Sequence, residues 1–581
     1  MDRRHFLAGA VSLSAAAKAT VVAAFEEKKT REVCTFPASS LAVEPLMDRY
    51  RLTLNRVLHG TGPAYTPEFL LEDIYARPGR RFTDFSGDVS GRWIGALSTA
   101  SAAYGQNFPA LHEVVRRTIA LQSSDGYFGK EFHLSRPNDE DLALLWGNGR
   151  LLIGLLEYYA WQKDPAVLTA AKKLGDFLLR IAPSFNSKEM ADEFGAAYFA
   201  SSYICWTQQT EGLAALYVAT KDARYRDLCA AISERIVRRP ADHVHGYLCS
   251  LRGTVDLYNA TGDRTHLQRV ETAWMDITNS GDVLITGGLP EAWSPKKKRT
   301  EGCAECDWLR LNLSLWKATG NAKYLNMAER VLFNEFAMNQ FDTGDFGHAV
   351  LNELGTPDTV YVRAWWCCTL HGLRAFPDIS RSVFQVAANE VSYDLPIDGH
   401  IETPDVSVRA TSRLAIDGTV HLHIVRASAE HTLTFRKPSW ADELTLLVNG
   451  EPINGLTVNK LNTGTVITGK YAMTRTSQRA GDDNDLAKRT AIYYGPWLLG
   501  VSSEVNPHYF NELHPGNTLL LHSAKSSCEK PGSSFDVPIA ATTAAYIPAE
   551  FPEQPSHVEL RAVAEQTAIR PTHWEMSFVC N

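Results

Sequence analysis

Long apolar runs are missing from this chain. Beyond its N-terminus no stretch approaches the roughly 18–20 apolar residues that a bilayer span needs, which excludes a membrane-spanning core. Positive charge is not in excess either. Lys and Arg number 58 against 66 Asp and Glu, a net charge of -8, so the chain carries no basic footprint for nucleic acid. Cysteine is sparse, 10 in 581 residues, which excludes a disulfide scaffold. The remaining composition, 45% hydrophobic and 21% charged, is that of ordinary globular material, and the length calls for two or three domains. Aromatics stand at 10%; sugar clefts use such rings as platforms, but so do large cores, so they decide little.

The N-terminus carries a pattern of its own. Asp2-Arg3-Arg4-His5-Phe6-Leu7 precedes a small, apolar run that ends in Ala17-Lys18-Ala19. This reads as a twin-arginine export signal over residues 1–19, with a soluble periplasmic or secreted protein starting near Thr20. That route exports proteins already folded, so a metal–thiolate site would form before meeting oxidant. The cysteines stand at 34, 205, 229, 249, 303, 306, 367, 368, 528 and 580. Neighbours such as Cys367 and Cys368 rarely bond each other, because the ring strains the peptide.

From about residue 100 to 340, apolar residues recur at three- and four-residue spacing, the helical period. One junction repeats: Tyr217 to Asp222, Tyr258 to Asp263, Trp316 to Asn321, and a degenerate copy from Tyr159 to Asp164. Each predicts a helix stopped at Gly or Lys, then an Asp or Asn N-cap opening the next. Helical hairpins repeated in this way, with long loops between them, predict an (α/α)6 barrel over residues 20–388. After about residue 388 the period becomes two, as in Val406 to Ala410, Val420 to Val425 and Thr432 to Phe435. Residues 389–581 therefore read as an appended β-sandwich region, with Ser477 to Asp485 a surface loop.

Glu301, Cys303, Cys367 and Cys368 together offer one carboxylate and three thiols, a donor set that favours zinc over magnesium or calcium. Spacing alone leaves a rival open. Cys303 and Cys306 form a C-x-x-C, so a four-thiolate structural zinc on 303, 306, 367 and 368 fits equally well, and so does no metal at all.

At these positions the chain resembles the β-L-arabinofuranosidases of glycoside hydrolase family 127. The resemblance runs in order from about residue 85 to 500. Asp88-Val89-Ser90-Gly91-Arg92-Trp93 is similar to the family's D-V-x-K-W, and Asp125 to Gly129 to D-G-Y-L-G. Ile285 to Gly288 with Glu291-Ala292-Trp293 resembles T-G-G followed by G-E-A-F, and Glu301 to Ala304 resembles E-T-C-A. Glu329 to Asn334 is similar to E-R-x-L-Y-N, Cys367-Cys368 to the C-C pair, and Arg436 to Trp440 to R-I-P-x-W. The resemblance implies Zn2+ on Glu301, Cys303, Cys367 and Cys368, with Cys306 left as a spare buried thiol. It also implies Cys367 as nucleophile and Glu291 as general acid/base, and substrate contacts from His243 and Glu329; His348 stands as a substrate candidate about where the family has Tyr or Phe. The implied activity is a retaining exo-glycosidase that removes arabinofuranose-like sugars from plant or pectic glycans.

The sugar-contact shell departs from the family. Where the family reads Gly-His opening a helix this chain has Gly149-Arg150, and near Trp206 to Gln209 no histidine occurs. Arg150 as a substrate residue would suit an acidic sugar; the alternative is a local pairing, with Asp141 for example. Two other functions fit the same pattern: a toroidal lyase or epimerase with structural zinc, and a carbohydrate-binding protein without turnover.

Overall fold

A computed structural model describes residues 46–75, 84–195, 202–293, 299–351, 357–428, 430–481, 488–503, 535–538, 557–565 and 574–578. The export signal expected at 1–19 lies outside the described residues, as do Cys34, Cys528 and Cys580.

Twelve helices alternate between two concentric rings. The outer ring is α1 (Leu46–His59), α3 (Pro109–Ala120), α5 (Pro165–Phe185), α7 (Ala223–Ser233), α9 (Arg264–Asn279) and α11 (Ala322–Arg330). The inner ring is α2 (Asp88–Tyr104), α4 (Asp139–Gln162), α6 (Gln209–Thr220), α8 (Val244–Thr261), α10 (Gly302–Thr319) and α12 (Trp366–Ser380). Each inner helix packs on the next, and α12 closes back onto α2, which completes an (α/α)6 barrel. The outer helices bury one face, as the stripe Val167, Ala171, Leu174, Leu178 of α5 does. The inner helices are buried almost all round, as α4 is from Asp141 to Leu156.

The repeated junction behaves as its residues dictate. Lys163, Lys221, Gly262 and Gly320 each end a helix in the left-handed conformation. The next residues, Asp164, Asp222, Asp263 and Asn321, extend the chain and cap the following helix by accepting a backbone N–H. Such a reversal follows four of the six inner helices, and with inner and outer helices alternating along the chain all six inner helices run in the same direction. Their N-termini gather at one end of the barrel.

Ions close the barrel axis. Glu211 of α6 accepts from Arg150 of α4 at 3.3 Å, from Arg252 of α8 at 3.0 Å and from Arg374 of α12 at 3.2 Å. Since α6 and α12 stand opposite each other in the ring, the last bond crosses the centre. Asp307 of α10 continues the network to Arg252 at 2.9 Å, Arg310 at 3.3 Å and His245. Burial would push the Glu211 carboxyl up, but Arg252, Arg374 and Arg150 outweigh it and hold it down at about 2.

The β region starts at β3 (Phe384–Ala387). One sheet has the order β10 (Glu451–Ile453), β9 (Ala441–Val448), β12 (Val466–Met473), β7 (Thr419–Ala427), β6 (Val406–Arg413), β5 (Gly399–Glu402). The facing sheet runs β11 (Thr457–Asn459), β8 (Thr432–Phe435), β4 (Glu390–Tyr393), β3. Alternate residues from both, Val408, Leu422, Ile424, Leu433, Phe435 and Ile467 among them, form one sandwich core. A third sheet contains β13 (Arg475–Arg479), β14 (Thr490–Tyr494) and β15 (Trp497–Ser502), and its residues Tyr493 and Leu498 pack with Ile285 and Met338 of the barrel region. The loop expected at Ser477 to Asp485 is corrected in part. Through Arg479 the segment is an exposed strand paired with β14, and residues 482–487 lie outside the described ones.

Candidate active site

The first turns of three inner helices meet at one end of the barrel. His243 is the N-cap of α8 and Glu301 that of α10, with Cys303 one residue into its helix; Trp365 caps α12, followed by Cys367 and Cys368 in its first turn. Helix N-termini carry partial positive charge and unpaired N–H groups, an environment that favours thiolate and carboxylate.

One donor atom from each of Glu301, Cys303, Cys367 and Cys368 lies within 4.8 Å of all the others. Cys368 Sγ is 3.8 Å from Cys303 Sγ and 3.9 Å from Cys367 Sγ. A tetrahedral ion with metal–sulfur bonds of about 2.3 Å requires sulfur–sulfur edges of about 3.8 Å, a spacing these sulfurs could supply. The donor atoms gathered there include Glu301 and leave out Cys306, which is buried at 0% exposure elsewhere on α10. Of the four ligand candidates Cys367 is the one half-buried residue; the other three are buried.

Cys367 is also the most acidic of the three thiols. Hydrogen bonds from Cys303 and Cys368 hold it well below an ordinary thiol, with further help from Arg92 and His348. Burial pushes Cys303 and Cys368 up. Arg92 is a site residue that sequence reasoning missed. Its Nη1 lies 3.6 Å from Cys303 Sγ, and Asp88, one turn back on α2, fixes it by accepting from Nε at 2.7 Å. The signal was there in the D-V-S-G-R-W segment, an Asp–Arg pair at i, i+4 on a helix buried on most sides.

Three extended segments form the wall beside the cage. Glu291 N donates to the Arg299 carbonyl at 2.9 Å, and Thr300 N donates to Ala349 of β1 (Gly347–Leu351) at 2.8 Å. This places Glu291, Arg299 and His348 together. His348 Nε2 is 3.5 Å from Glu291 Oε1, and Arg299 binds both oxygens of Glu291, with Nη2 to Oε1 at 2.6 Å and Nε to Oε2. Burial would raise the Glu291 carboxyl, but His348 and Arg299 outweigh it and lower it to about 2. His243 links the two carboxylates: its Nε2 is 3.1 Å from Glu301 Oε2, and its ring donor, Glu291 and Glu301 lie within 4.8 Å of one another. Trp365 stacks edge-on against His348 at 5.8 Å and against Trp366 at 4.9 Å, adding an aromatic flank.

The loop that carries Glu291 rests on a buried carboxyl pair. Glu305 and Glu335 are buried side by side; burial pushes Glu305 well above the usual range and Glu335 up to about 7. Thr286 and Thr300 stand beside Glu335 and offset part of that rise, and a β-carbon on Gly288 would fall 2.4 Å from Glu305 Oε2 and 2.5 Å from Glu335 Cγ. The T-G-G segment is therefore built around this pair. Glu335 is presented by a π-helical turn, Val331–Phe336, which follows α11.

Two expected substrate residues lie elsewhere. Glu329 is corrected: it is buried in an ion pair with Arg436, with Trp440 also on its carboxyl, at the junction with the sandwich. Its helix continues the clamp, with Arg330 donating to Tyr493 Oη at 2.7 Å and Asn334 to the Pro496 carbonyl at 3.0 Å. Both motifs, E-R-V-L-F-N and R-K-P-S-W, join barrel to sandwich. Arg150 is corrected likewise: it belongs to the axial network, on Glu211, Gln208 and Cys249 (3.0 Å), and its local partner is not Asp141, which closes the capping box of α4.

Residues 75–381 match the family model described as Beta-L-arabinofuranosidase, GH127 catalytic domain, and residues 394–482 match that of the GH127 middle domain. Among solved structures, a GH127 β-arabinofuranosidase superposes with a TM-score of 0.69 at 16% identity, covering 93% of this chain and 94% of its own. A GH127 β-L-arabinofuranosidase from Geobacillus stearothermophilus T6 gives 0.69 at 15%, covering 94% of this chain and 100% of its own. A further structure titled glycoside hydrolase gives 0.63 at 15%, over 88% and 95%. No curated protein matches.

Proposed function

The chain is a member of glycoside hydrolase family 127, and from that premise we propose that it is a retaining exo-glycosidase for arabinofuranose-like sugars on plant or pectic glycans, with Cys367 as nucleophile and Glu291 as acid/base. The observation that carries the reading is the cluster of three thiols and one carboxylate, in which the one partly exposed residue, Cys367, is also the one whose thiol is held well below the ordinary range. Its sulfur spacing fits zinc, held by Glu301, Cys303, Cys367 and Cys368. When bound there, zinc would stabilise the thiolate form of the cysteines.

In this mechanism Cys367 Sγ attacks the anomeric carbon while the glycosidic C–O bond breaks, and Glu291 gives its proton to the departing oxygen. A sugar–sulfur bond results. Glu291 then takes a proton from water, the water oxygen bonds the anomeric carbon, and Cys367 leaves as thiolate. Two inversions retain configuration. Arg92 holds negative charge on the thiol cluster, and His348 stands beside Glu291 to compensate its charge. The histidine His243 orients Glu301 and reaches toward Glu291.

The test combines metal analysis with Cys367→Ser. One zinc per chain, with hydrolysis of β-L-arabinofuranosides lost in a folded variant, is the expected result. A folded, metal-loaded Cys367→Ser enzyme with full activity would overturn the nucleophile assignment. An unsaturated product absorbing in the near ultraviolet would instead support a lyase.

A further inference from the structure

Arg299 occupies both oxygens of the residue that is to protonate the leaving group. The pairing is a fork, Nη2 on Oε1 and Nε on Oε2, the strongest geometry open to an arginine and a carboxylate. As long as it holds, one lone pair of each oxygen is taken by a full positive charge, and a proton on Glu291 is disfavoured. Glu291 must therefore be released before each turnover.

The arrangement shows which side the release comes from. The Arg299 side chain is 43% exposed, whereas that of Glu291 is 10% exposed, so the guanidinium lies on the solvent side of the carboxylate. On the inner side of Glu291 lie His243 and Glu301, which lead to the thiol cage. An acid/base group faces the bond between the sugar being removed and its neighbour, so Arg299 faces the neighbour. Charge in the sequence points the same way: in a chain of net charge -8, Arg299 closes four consecutive cations, Lys296-Lys297-Lys298-Arg299, between the acid/base and Glu301. Arg150, the other candidate for an anion, is tied to Glu211 in the axial network.

We propose that Arg299 recognises a carboxylate on the sugar at the leaving-group side of the scissile bond, a uronate, and that its transfer from Glu291 to this carboxylate frees Glu291 for proton transfer. This rests on Glu291 being the acid/base. It makes the preferred substrate an arabinofuranose-like sugar attached to an acidic residue, and it makes the acidic neighbour part of the switch that arms the enzyme. A neutral neighbour leaves the guanidinium on Glu291 and reacts slowly.

The experiment uses two β-L-arabinofuranosyl disaccharides of the same linkage, one ending in D-galacturonic acid and the other in D-galactose, with the wild-type holoenzyme, Arg299→Gln and Glu291→Gln. A charge-assisted hydrogen-bonded pair corresponds to about 10- to 100-fold in affinity. Wild-type kcat/KM should favour the acidic disaccharide by about that factor. Arg299→Gln should bring the ratio near unity, by slowing the acidic substrate and speeding the neutral one, whose Glu291 is no longer held by the guanidinium. Calorimetry with free galacturonate and galactose gives a readout independent of turnover: galacturonate binding should weaken by the same factor in Arg299→Gln, and galactose binding should not. A wild-type ratio near unity, or equal loss on both disaccharides in Arg299→Gln, overturns the proposal. Glu291→Gln separates the premise: wild-type rates in that variant overturn the acid/base assignment, whereas an inactive Glu291→Gln beside an unaffected Arg299→Gln overturns the role of Arg299 alone.

Discussion

The guanidinium of Arg92 lies 3.6 Å from the sulfur of Cys303, on a side chain that Asp88 holds in place one helical turn earlier. A fixed cation beside a thiol cluster lowers the cost of ionising it, and neither residue can turn away without breaking the other's contact.

In metal-stripped enzyme, Arg92→Gln should shift the pH midpoint for alkylation of Cys367 upward, by about one unit. The sign follows from removing a positive charge that favours thiolate. Iodoacetamide labelling followed by peptide mass analysis measures it. Arg92→Lys, which keeps the charge, should shift it less.

Glu329→Ala should destabilise the folded chain by about 3–5 kcal/mol, the cost of leaving a buried Arg436 without its partner. Hydrolytic rate per folded molecule should stay near wild type, because the pair joins barrel to sandwich and does not contact the thiol cage. Denaturant unfolding with activity normalised to folded protein separates the two effects. A rate lost in fully folded protein would return Glu329 to the substrate site.

Stability should fall as pH rises from about 4.5 to 7. The Glu335 carboxyl sits at about 7 in the folded chain because of burial, and near its ordinary value when unfolded. Below 4.5 both states hold the proton and no penalty exists. Between the two values the folded state holds more protons, so stability declines by up to about 1.4 kcal/mol per pH unit, and above 7 the loss is complete and constant. Glu335→Gln should flatten this slope in urea titrations at a series of pH values; an unchanged slope would assign it to other groups.

Gly288→Ala should destabilise by about 1–3 kcal/mol and lower kcat. Its new carbon would fall 2.4 Å from Glu305 Oε2 and 2.5 Å from Glu335 Cγ, which forces the loop that leads to Glu291 to shift. Gly262→Ala, where nothing lies within 4 Å and only the left-handed backbone resists a side chain, is the comparison for a glycine replaced away from the site and should leave kcat unchanged.

Much of the barrel was legible because its signal is local. A helix stop at Lys163 or Gly262 and a cap at Asp164 or Asp263 are decided by neighbours in sequence, and the structure forms them there. The cage was legible because three thiols and a carboxylate are rare together. Spacing alone did not choose between Glu301 and Cys306, because which face of α10 meets α12 depends on helix packing. Glu329 and Arg150 show the same limit more sharply. Each is a charged residue at a position where the family implies sugar contact, but its partner, Arg436 or Glu211, lies 107 or 61 residues away and nothing local announces it. Arg299 was missed for the converse reason, since a basic run looks like an exposed loop until a carboxylate is found beside it.

The bond from Glu211 to Arg374 has one more consequence, at the level of traffic. It joins opposite walls of the ring, and with Arg150, Arg252, Asp307 and Arg310 it closes the bore. A polysaccharide cannot be reeled through a toroid whose hole is shut. Substrate must reach the thiol cluster from the open end, and the released sugar must leave by that same end. Entry and exit therefore share one doorway.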